Sequence, residues 1–223
     1  MDERFAAAAT AAGSSLARDT GAAEDIALRD GQLRFWPRAV APALADQWFS
    51  GLNDELAWHQ EQLRLYGRWV KVPREVAWHG DAGATYRYSG KTHNPEPWTA
   101  TLAEIRSWLT ALTGHPVNSV LGNRYRDGQD AMGWHADNEP ELGPEPAIVS
   151  LNLGATRRMR FRRTDQRRDT FHLDLPGGSV LVMSGPTQQH WQHCITRTAK
   201  PVAPRINLTF RLVRGRDEVP SQA

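Results

Sequence analysis

Leu33-Arg34-Phe35-Trp36, closed by Pro37, alternates apolar and polar side chains and predicts a first strand. Ala43, Leu44, Trp48, Leu52 and Leu56 then recur at helical spacing and predict a helix over 43–63. Leu102, Ile105, Leu109 and Leu112 form one stripe of a second helix over 98–112, closed by Gly114 and Pro116. After residue 117 the pattern changes to short strands over 117–125, 147–153, 159–161, 170–173, 179–183 and 206–213, separated by Gly, Pro, Asn and Asp. Many short strands at close spacing predict a sandwich or barrel, with the earlier helices bracing one sheet. No repeat and no linker divides the chain. The expectation is one domain over 26–214 with its β core at 117–213, an Ala-, Gly-, Ser- and Thr-rich mobile tail over 1–25, and a short C-terminal tail over 215–223.

The chain has 223 residues, 40% hydrophobic and 23% charged, enough for a full core without staples. No apolar run approaches the ~20 residues of a membrane span. The acidic, Ala-rich start lacks the basic and apolar regions of a signal peptide. The single cysteine, Cys194, excludes an internal disulfide and any CxxC zinc site. A soluble protein of a reducing compartment is expected, in the cytoplasm, or in the nucleus if the source is eukaryotic. Net charge is only +2, but residues 151–214 hold 12 Lys and Arg against 3 Asp and Glu. Such asymmetry points to anionic partners, nucleic acid first; the arginine usage of a GC-rich genome would give the same excess.

The chemistry begins at His135-Ala136-Asp137. On a strand, residues two apart share a face, so an imidazole and a carboxylate can stand side by side. HxD alone is a weak signal, and a packed His beside a solvated Asp is the more common reason for it. His172, His190 and His193 are candidates for a third ligand. Two imidazoles and one carboxylate make the facial triad of non-haem Fe(II) oxygenases. In the last strand Arg205, Asn207, Thr209 and Arg211 alternate with Ile206, Leu208, Phe210 and Leu212. If the polar face points into a barrel, its two guanidinium groups require an anion, because unpaired buried charge is costly. A dicarboxylate co-substrate would supply one by bidentate pairing.

Residues 121–213 resemble the AlkB family of Fe(II)/2-oxoglutarate dioxygenases. The matching stretches are Asn123-Arg124-Tyr125, His135-Ala136-Asp137, His193, and Pro204-Arg205-Ile206-Asn207-Leu208-Thr209-Phe210-Arg211. The resemblance implies a double-stranded β-helix, the cupin-like jelly roll, mainly β with flanking helices. It implies Fe(II) on His135, Asp137 and His193, the last chosen because Arg205 follows it by twelve residues. By the same resemblance Arg205 and Arg211 hold the two ends of 2-oxoglutarate, helped by Asn123, Tyr125 and Thr209, with Asn207 on the same face. The implied reaction consumes 2-oxoglutarate and O2, hydroxylates an N-methyl group on a DNA base, and releases formaldehyde, succinate and CO2. No catalytic residue beyond the iron ligands is implied.

The similarity continues upstream through Tyr66-Gly67-Arg68-Trp69, Pro73-Arg74, Gly80-Asp81-Ala82-Gly83 and Tyr86-Arg87-Tyr88-Ser89-Gly90. These stretches resemble the branch acting on alkylated double-stranded DNA and imply a nucleotide-recognition lid over 60–95. An enzyme acting on a base inside a duplex must take it out of the stack. Tyr66, beside Gly67 and flanked by Arg64, Arg68 and Lys71, fits an intercalating wedge, though an ordinary packed hairpin would look the same. Tyr86 and Tyr88 share one strand face and could sandwich a base, with Arg87 and Ser89 beside them. Asn138 stands where the branch often has a second acid, and Glu139 follows it as a possible reader of an exocyclic amine. The arginines from Arg157 to Arg168 are expected on a phosphate-tracking surface. The expected partner is alkylated DNA, with duplex favoured, 1-methyladenine and 3-methylcytosine as lesions, and the protein acting as a monomer. The competing expectations are a 2-oxoglutarate oxygenase acting on RNA or a protein side chain, and a nucleic-acid-binding barrel without catalysis.

Overall fold

Alternation along the longest strands decides the architecture. The computed structural model describes residues 21–65, 67–84, 86–88 and 91–214, without the side chains of residues 63, 65, 86–88 and 91–93. Seven antiparallel strands form a major sheet: β1 (Glu24–Leu28), β2 (Gly31–Trp36), β5 (Glu75–Gly80), β8 (Ser119–Tyr125), β10 (Ile148–Gly154), β13 (Ser179–Ser184) and β15 (Arg205–Arg211), in the spatial order β1-β2-β13-β10-β15-β8-β5. Four more form a minor sheet in the order β12-β11-β14-β9: β9 (Met132–His135), β11 (Arg157–Arg163), β12 (Thr170–Leu175) and β14 (Trp191–Ile195). The two sheets make the expected jelly roll. Two separate hairpins, β3 (Gln62–Leu65) with β4 (Arg68–Lys71) and β6 (Tyr86–Tyr88) with β7 (Lys91–His93), complete the strands.

The major sheet is buried on both faces. Val180, Val182, Leu151, Ile206, Leu208 and Phe210 point outward under α1 (Pro42–Glu55) and α2 (Ala100–Thr113), where they meet Trp48, Leu52, Leu102, Ile105 and Leu109. The other parity faces the minor sheet: Leu181, Met183 and Ile148 pack on Met159, Phe161, Trp191 and Ile195. Full burial of such side chains contributes about 1.5–3 kcal/mol each. Towards β15 and β8 the inward positions become polar, with Asn123, Ser150, Asn152, Arg205, Asn207, Thr209 and Arg211 all buried. The apolar interior thus ends where the site begins.

Several boundaries differ from the sequence expectation. The first helix stops at Glu55, not at 63. Leu56 is already extended (φ −91°, ψ 136°), the Trp58 indole donates to the Leu52 carbonyl at 3.1 Å, and His59 bridges to Val76 in β5. Sheet pairing therefore captures what the helical spacing would continue. The expected tail over 1–25 overlaps β1, which pairs with β2 from Glu24↔Phe35 to Leu28↔Gly31. Within the expected lid over 60–95, β5 belongs to the major sheet, pairing with β8. The second helix holds: Thr99 caps its start and Gly114, at φ +74°, its end, a left-handed position that favours glycine.

Candidate metal and co-substrate site

His135 ends β9, Asp137 follows it, and His193 lies opposite His135 on β14. The ligating atoms of these three side chains all lie within 4.8 Å of one another. The reason they converge differs from the one the sequence suggested. Asp137 is past the end of the strand, so alternation does not place it; the buried Gln188 side chain does, accepting the Asp137 N–H at 2.9 Å. Gln188 sits on the short helix α3 (Thr187–His190), and nothing in the HxD pattern signals it. The His135 Nδ1–H donates to the Gly133 carbonyl at 2.9 Å, which leaves Nε2 as the lone-pair nitrogen. Of the other candidate ligands, His172 is exposed on β12 and His190 ends α3; neither joins the cluster.

Electrostatics prepare the three side chains for a cation. Burial alone would raise the Asp137 carboxyl, but Arg211, His135 and His193 outweigh it and hold the group far below the carboxylate range. Burial, with His135 beside it, pushes His193 down to about 3, so its imidazole is neutral and able to ligate. Asp137 Oδ1 accepts from Arg211 Nη2 at 2.5 Å, while the buried Oδ2 has no hydrogen-bond partner and lies 3.7 Å from His193 Nε2. A buried carboxylate oxygen with no donor, beside two imidazole nitrogens, fits a divalent metal. The N2O donor set with open positions suits Fe(II).

The anion end lies deeper. Arg205 is 1% exposed; its Nη2 donates to Asn152 Oδ1 at 2.6 Å, and its guanidinium sits 4.8 Å from the Tyr125 ring centre. Its Nε and Nη1 are buried with no acceptor, and burial lowers its pKa. Two orphaned guanidinium donors at a barrel floor fit a carboxylate. Asn123 is fixed through its Oδ1, which accepts from the buried Arg74 Nε at 2.7 Å, so its amide donors stay available. Thr209 and Tyr125 line the same inner cavity as Asn123 and the metal triad. Asn207 also lines it, but its amide is spent on Ser150, Leu151 and Asn152, and its Oδ1 accepts from Thr209; its bonds are structural.

A larger cavity of about 300 Å³ opens on the other side of His135, Asp137 and Arg211. That is the lower end of the ~300–1,000 Å³ of small-molecule sites. Its walls include Arg74, part of the Pro73-Arg74 stretch that carries the resemblance, and His59, Glu61, Trp78, His79 and Glu96, which sequence reasoning did not single out. They arrive by non-local pairing, of His59 with Val76 and of Glu96 with His79 on β5, and of β5 with β8, for which no local signal exists. Glu139 lines the cavity and carries a buried Oε2 with no partner, whereas Asn138 is exposed and outside the lining. Gly67 (φ +80°) and exposed Arg68 lie at the β3–β4 turn. The wedge assigned to Tyr66 and the position of Ser89 fall outside the described residues. Tyr86, Arg87 and Tyr88 form β6, but the base sandwich assigned to them concerns side chains outside the description.

The arginine run does not form one surface. Arg157 is buried and donates to the carbonyls of Asp127, Asp130 and Thr196; Arg163 is buried between Asp30 and Asp165. Arg158 pairs with Asp174.

Comparison with known proteins agrees with this site. Residues 32–211 match the family model of the 2OG-Fe(II) oxygenase superfamily. The chain is 41% identical over 181 residues to DNA oxidative demethylase ALKBH2 of Homo sapiens, covering 77% of this chain and 69% of that protein. It is 35% identical over 187 residues to alpha-ketoglutarate-dependent dioxygenase alkB homolog 3 of Homo sapiens, covering 80% and 65%. The solved structure of OsALKBH1 superposes with a TM-score of 0.60 at 16% identity, over 85% of this chain and all of that one, which supports the fold. With the superfamily model spanning the barrel and relatives of this identity, the chain belongs to the 2OG-Fe(II) oxygenase superfamily and, within it, to the AlkB family.

Proposed function

We propose that the protein is an oxidative demethylase of N-alkylated bases in DNA, with 1-methyladenine and 3-methylcytosine as substrates and duplex preferred, acting as a monomer in the cytoplasm, or in the nucleus of a eukaryote. The observation that carries the reading is that two cavities share His135, Asp137 and Arg211 as walls: the inner one also holds His193, Asn123, Tyr125 and Thr209, and the other is lined by Glu139. Co-substrate and base would thus approach the same metal from opposite sides. Fe(II), held by His135, Asp137 and His193, would supply O2 activation, with 2-oxoglutarate leaving as succinate and CO2 and the methyl carbon as formaldehyde.

The chain's own residues do the positioning. Arg205 neutralises one carboxylate of the co-substrate and Arg211 stands at the metal end, already oriented by Asp137. Asn123, tied by Arg74, presents its amide to the same ligand. Glu139 offers an acceptor to an exocyclic amine at the edge of the entering base. The names of the ALKBH2 relatives support DNA as the substrate. The test uses matched single- and double-stranded oligonucleotides carrying one 1-methyladenine, with Fe(II), ascorbate and 2-oxoglutarate. Loss of the methyl group by mass, faster in the duplex, is the expected result. Succinate release without demethylation of either strand would overturn the substrate assignment.

A further inference from the structure

Arg157 opens β11 with the parity of Met159 and Phe161, so its side chain enters the space between the sheets, where it is 4% exposed. Among the described residues it makes no ion pair. Its guanidinium donates to three carbonyls instead: Nη1 to Asp127 at 3.0 Å, and Nη2 to Asp130 at 2.9 Å and Thr196 at 2.7 Å. Asp127 and Asp130 lie in the segment that runs from Tyr125 to β9 and the ligand candidate His135; Thr196 follows β14, which carries His193. Gly128 shows how closely the two segments are pressed together. Its carbonyl accepts from the Thr198 N–H at 2.9 Å, and a Cβ on it would stand 2.5 Å from the Thr198 carbonyl oxygen. A planar fork of donors can bridge such spread acceptors, whereas a single ammonium cannot.

What the clamp holds is an aromatic ring. The Arg157 guanidinium lies 5.6 Å from the centre of the Tyr125 ring, and that of Arg205 lies 4.8 Å from it. Tyr125 is paired with Arg205 in the major sheet, so one cation reaches the ring from its own sheet and the other from the minor sheet. Burial lowers the Arg205 pKa, and the nearby charge of Arg157 lowers it further. A ring whose faces are electron-rich lets two such cations stand close without a carboxylate. Tyr125 is a wall of the inner cavity, while Arg157 and Arg205 are not among its walls. A carboxylate leaving that cavity for the Nε and Nη1 of Arg205 therefore meets the phenol first, and the placement of the ring bears on access to the cation.

We propose that Arg157 is a positioning residue for the co-substrate: by clamping the carbonyls of Asp127, Asp130 and Thr196 it holds the Tyr125 ring beside Arg205, in the placement from which 2-oxoglutarate reaches that arginine. Arg157 touches no substrate and acts through the ring. The inference rests on the 2-oxoglutarate half of the reading above and is independent of the nucleic-acid half.

The test is calorimetric binding of 2-oxoglutarate, under nitrogen, to the Fe(II)-loaded full chain as wild type, Arg157→Gln, Tyr125→Leu and the double variant. Arg157→Gln weakens 2-oxoglutarate binding about five- to thirtyfold, the scale of one desolvated cation–π contact, while affinities for Fe(II) and for a 1-methyladenine oligonucleotide stay within about twofold. In the Tyr125→Leu background the same substitution adds nothing, because the ring through which Arg157 acts is gone. Equal weakening in both backgrounds overturns the positioning role, and so does an unchanged 2-oxoglutarate affinity in Arg157→Gln. If Arg157→Gln fails to fold, Arg157→Lys, which keeps the charge without the three-carbonyl fork, takes its place in the cycle with the same expectations. A wild-type protein that binds 2-oxoglutarate but removes no methyl group overturns the demethylase reading alone, and the cycle still decides Arg157. One that binds no 2-oxoglutarate overturns both.

Discussion

Arg211 Nη2 donates to Asp137 Oδ1 at 2.5 Å, and both side chains are buried, so the last strand of the barrel grips the carboxylate of the candidate metal cluster directly. Removing one partner of a buried pair leaves the other charge uncompensated, which costs about 3–5 kcal/mol. Arg211→Met is therefore expected to destabilise the metal-free protein by about that much in urea unfolding. Adding Asp137→Asn to that variant is expected to restore part of the loss. A double variant as unstable as the single one would show that the pair is not the source.

His135→Ala and Asp137→Ala should reduce demethylation to background and weaken Fe(II) binding, while DNA affinity stays within about twofold because neither side chain lies on the outer sheet face. Fe(II) titration and an oligonucleotide binding curve on the same preparation check both halves. Retained Fe(II) affinity in Asp137→Ala would remove it from the metal site.

Arg205→Ala deletes the cation whose Nε and Nη1 wait for an acceptor on the barrel floor. A charge-assisted hydrogen bond of ~1.5–3 kcal/mol corresponds to a rise of roughly 10- to 150-fold in the 2-oxoglutarate concentration needed for half-saturation. Turnover at saturating co-substrate should fall far less. Normal saturation would refute the role.

The barrel was legible because short alternating strands are a local pattern, whereas the residues alone left His172, His190 and His193 open, and only the family resemblance, through the twelve residues from His193 to Arg205, singled out His193. What escaped depends on partners far along the chain. The first helix looked longer because Leu56 continues its stripe; only the bridge of His59 to Val76 and the packing of Trp58 on β8 end it. Gln188, which fixes the Asp137 backbone, and Arg74, which fixes Asn123, are ordinary polar residues until the fold brings them in. The arginine run is a different lesson. Met159 and Phe161 already state which parity of β11 faces inward, so Arg157 and Arg163 had to be buried, with Arg158 and Arg160 exposed and Arg162 half-buried on the other face. The alternation was there to be read, and counting charge without parity concealed it.

Acid sensitivity should arise at the N-terminal hairpin. The Arg163 side chain, 2% exposed, donates to Asp165 through Nε and Nη2 at 2.6 and 2.7 Å and to Asp30 at 2.9 Å, while the Trp191 indole donates to the Arg29 carbonyl. The turn joining β1 to β2 is thereby pinned to the minor sheet. Hydrogen bonding to Arg163 pulls the Asp165 carboxyl down to about 2, below its ordinary value near 4 in an unfolded chain. A carboxyl with a depressed folded pKa stabilises fully above its unfolded pKa and loses that contribution as pH falls through the folded one. Wild-type protein should therefore melt at a higher temperature than Asp165→Asn at pH 6, with the gap closing between about pH 4 and pH 2. Thermal melts of the two proteins across that range measure the difference directly, because every other titrating group is common to both. A gap that persists unchanged at pH 2 would mean that the ionised carboxylate is not what holds the turn.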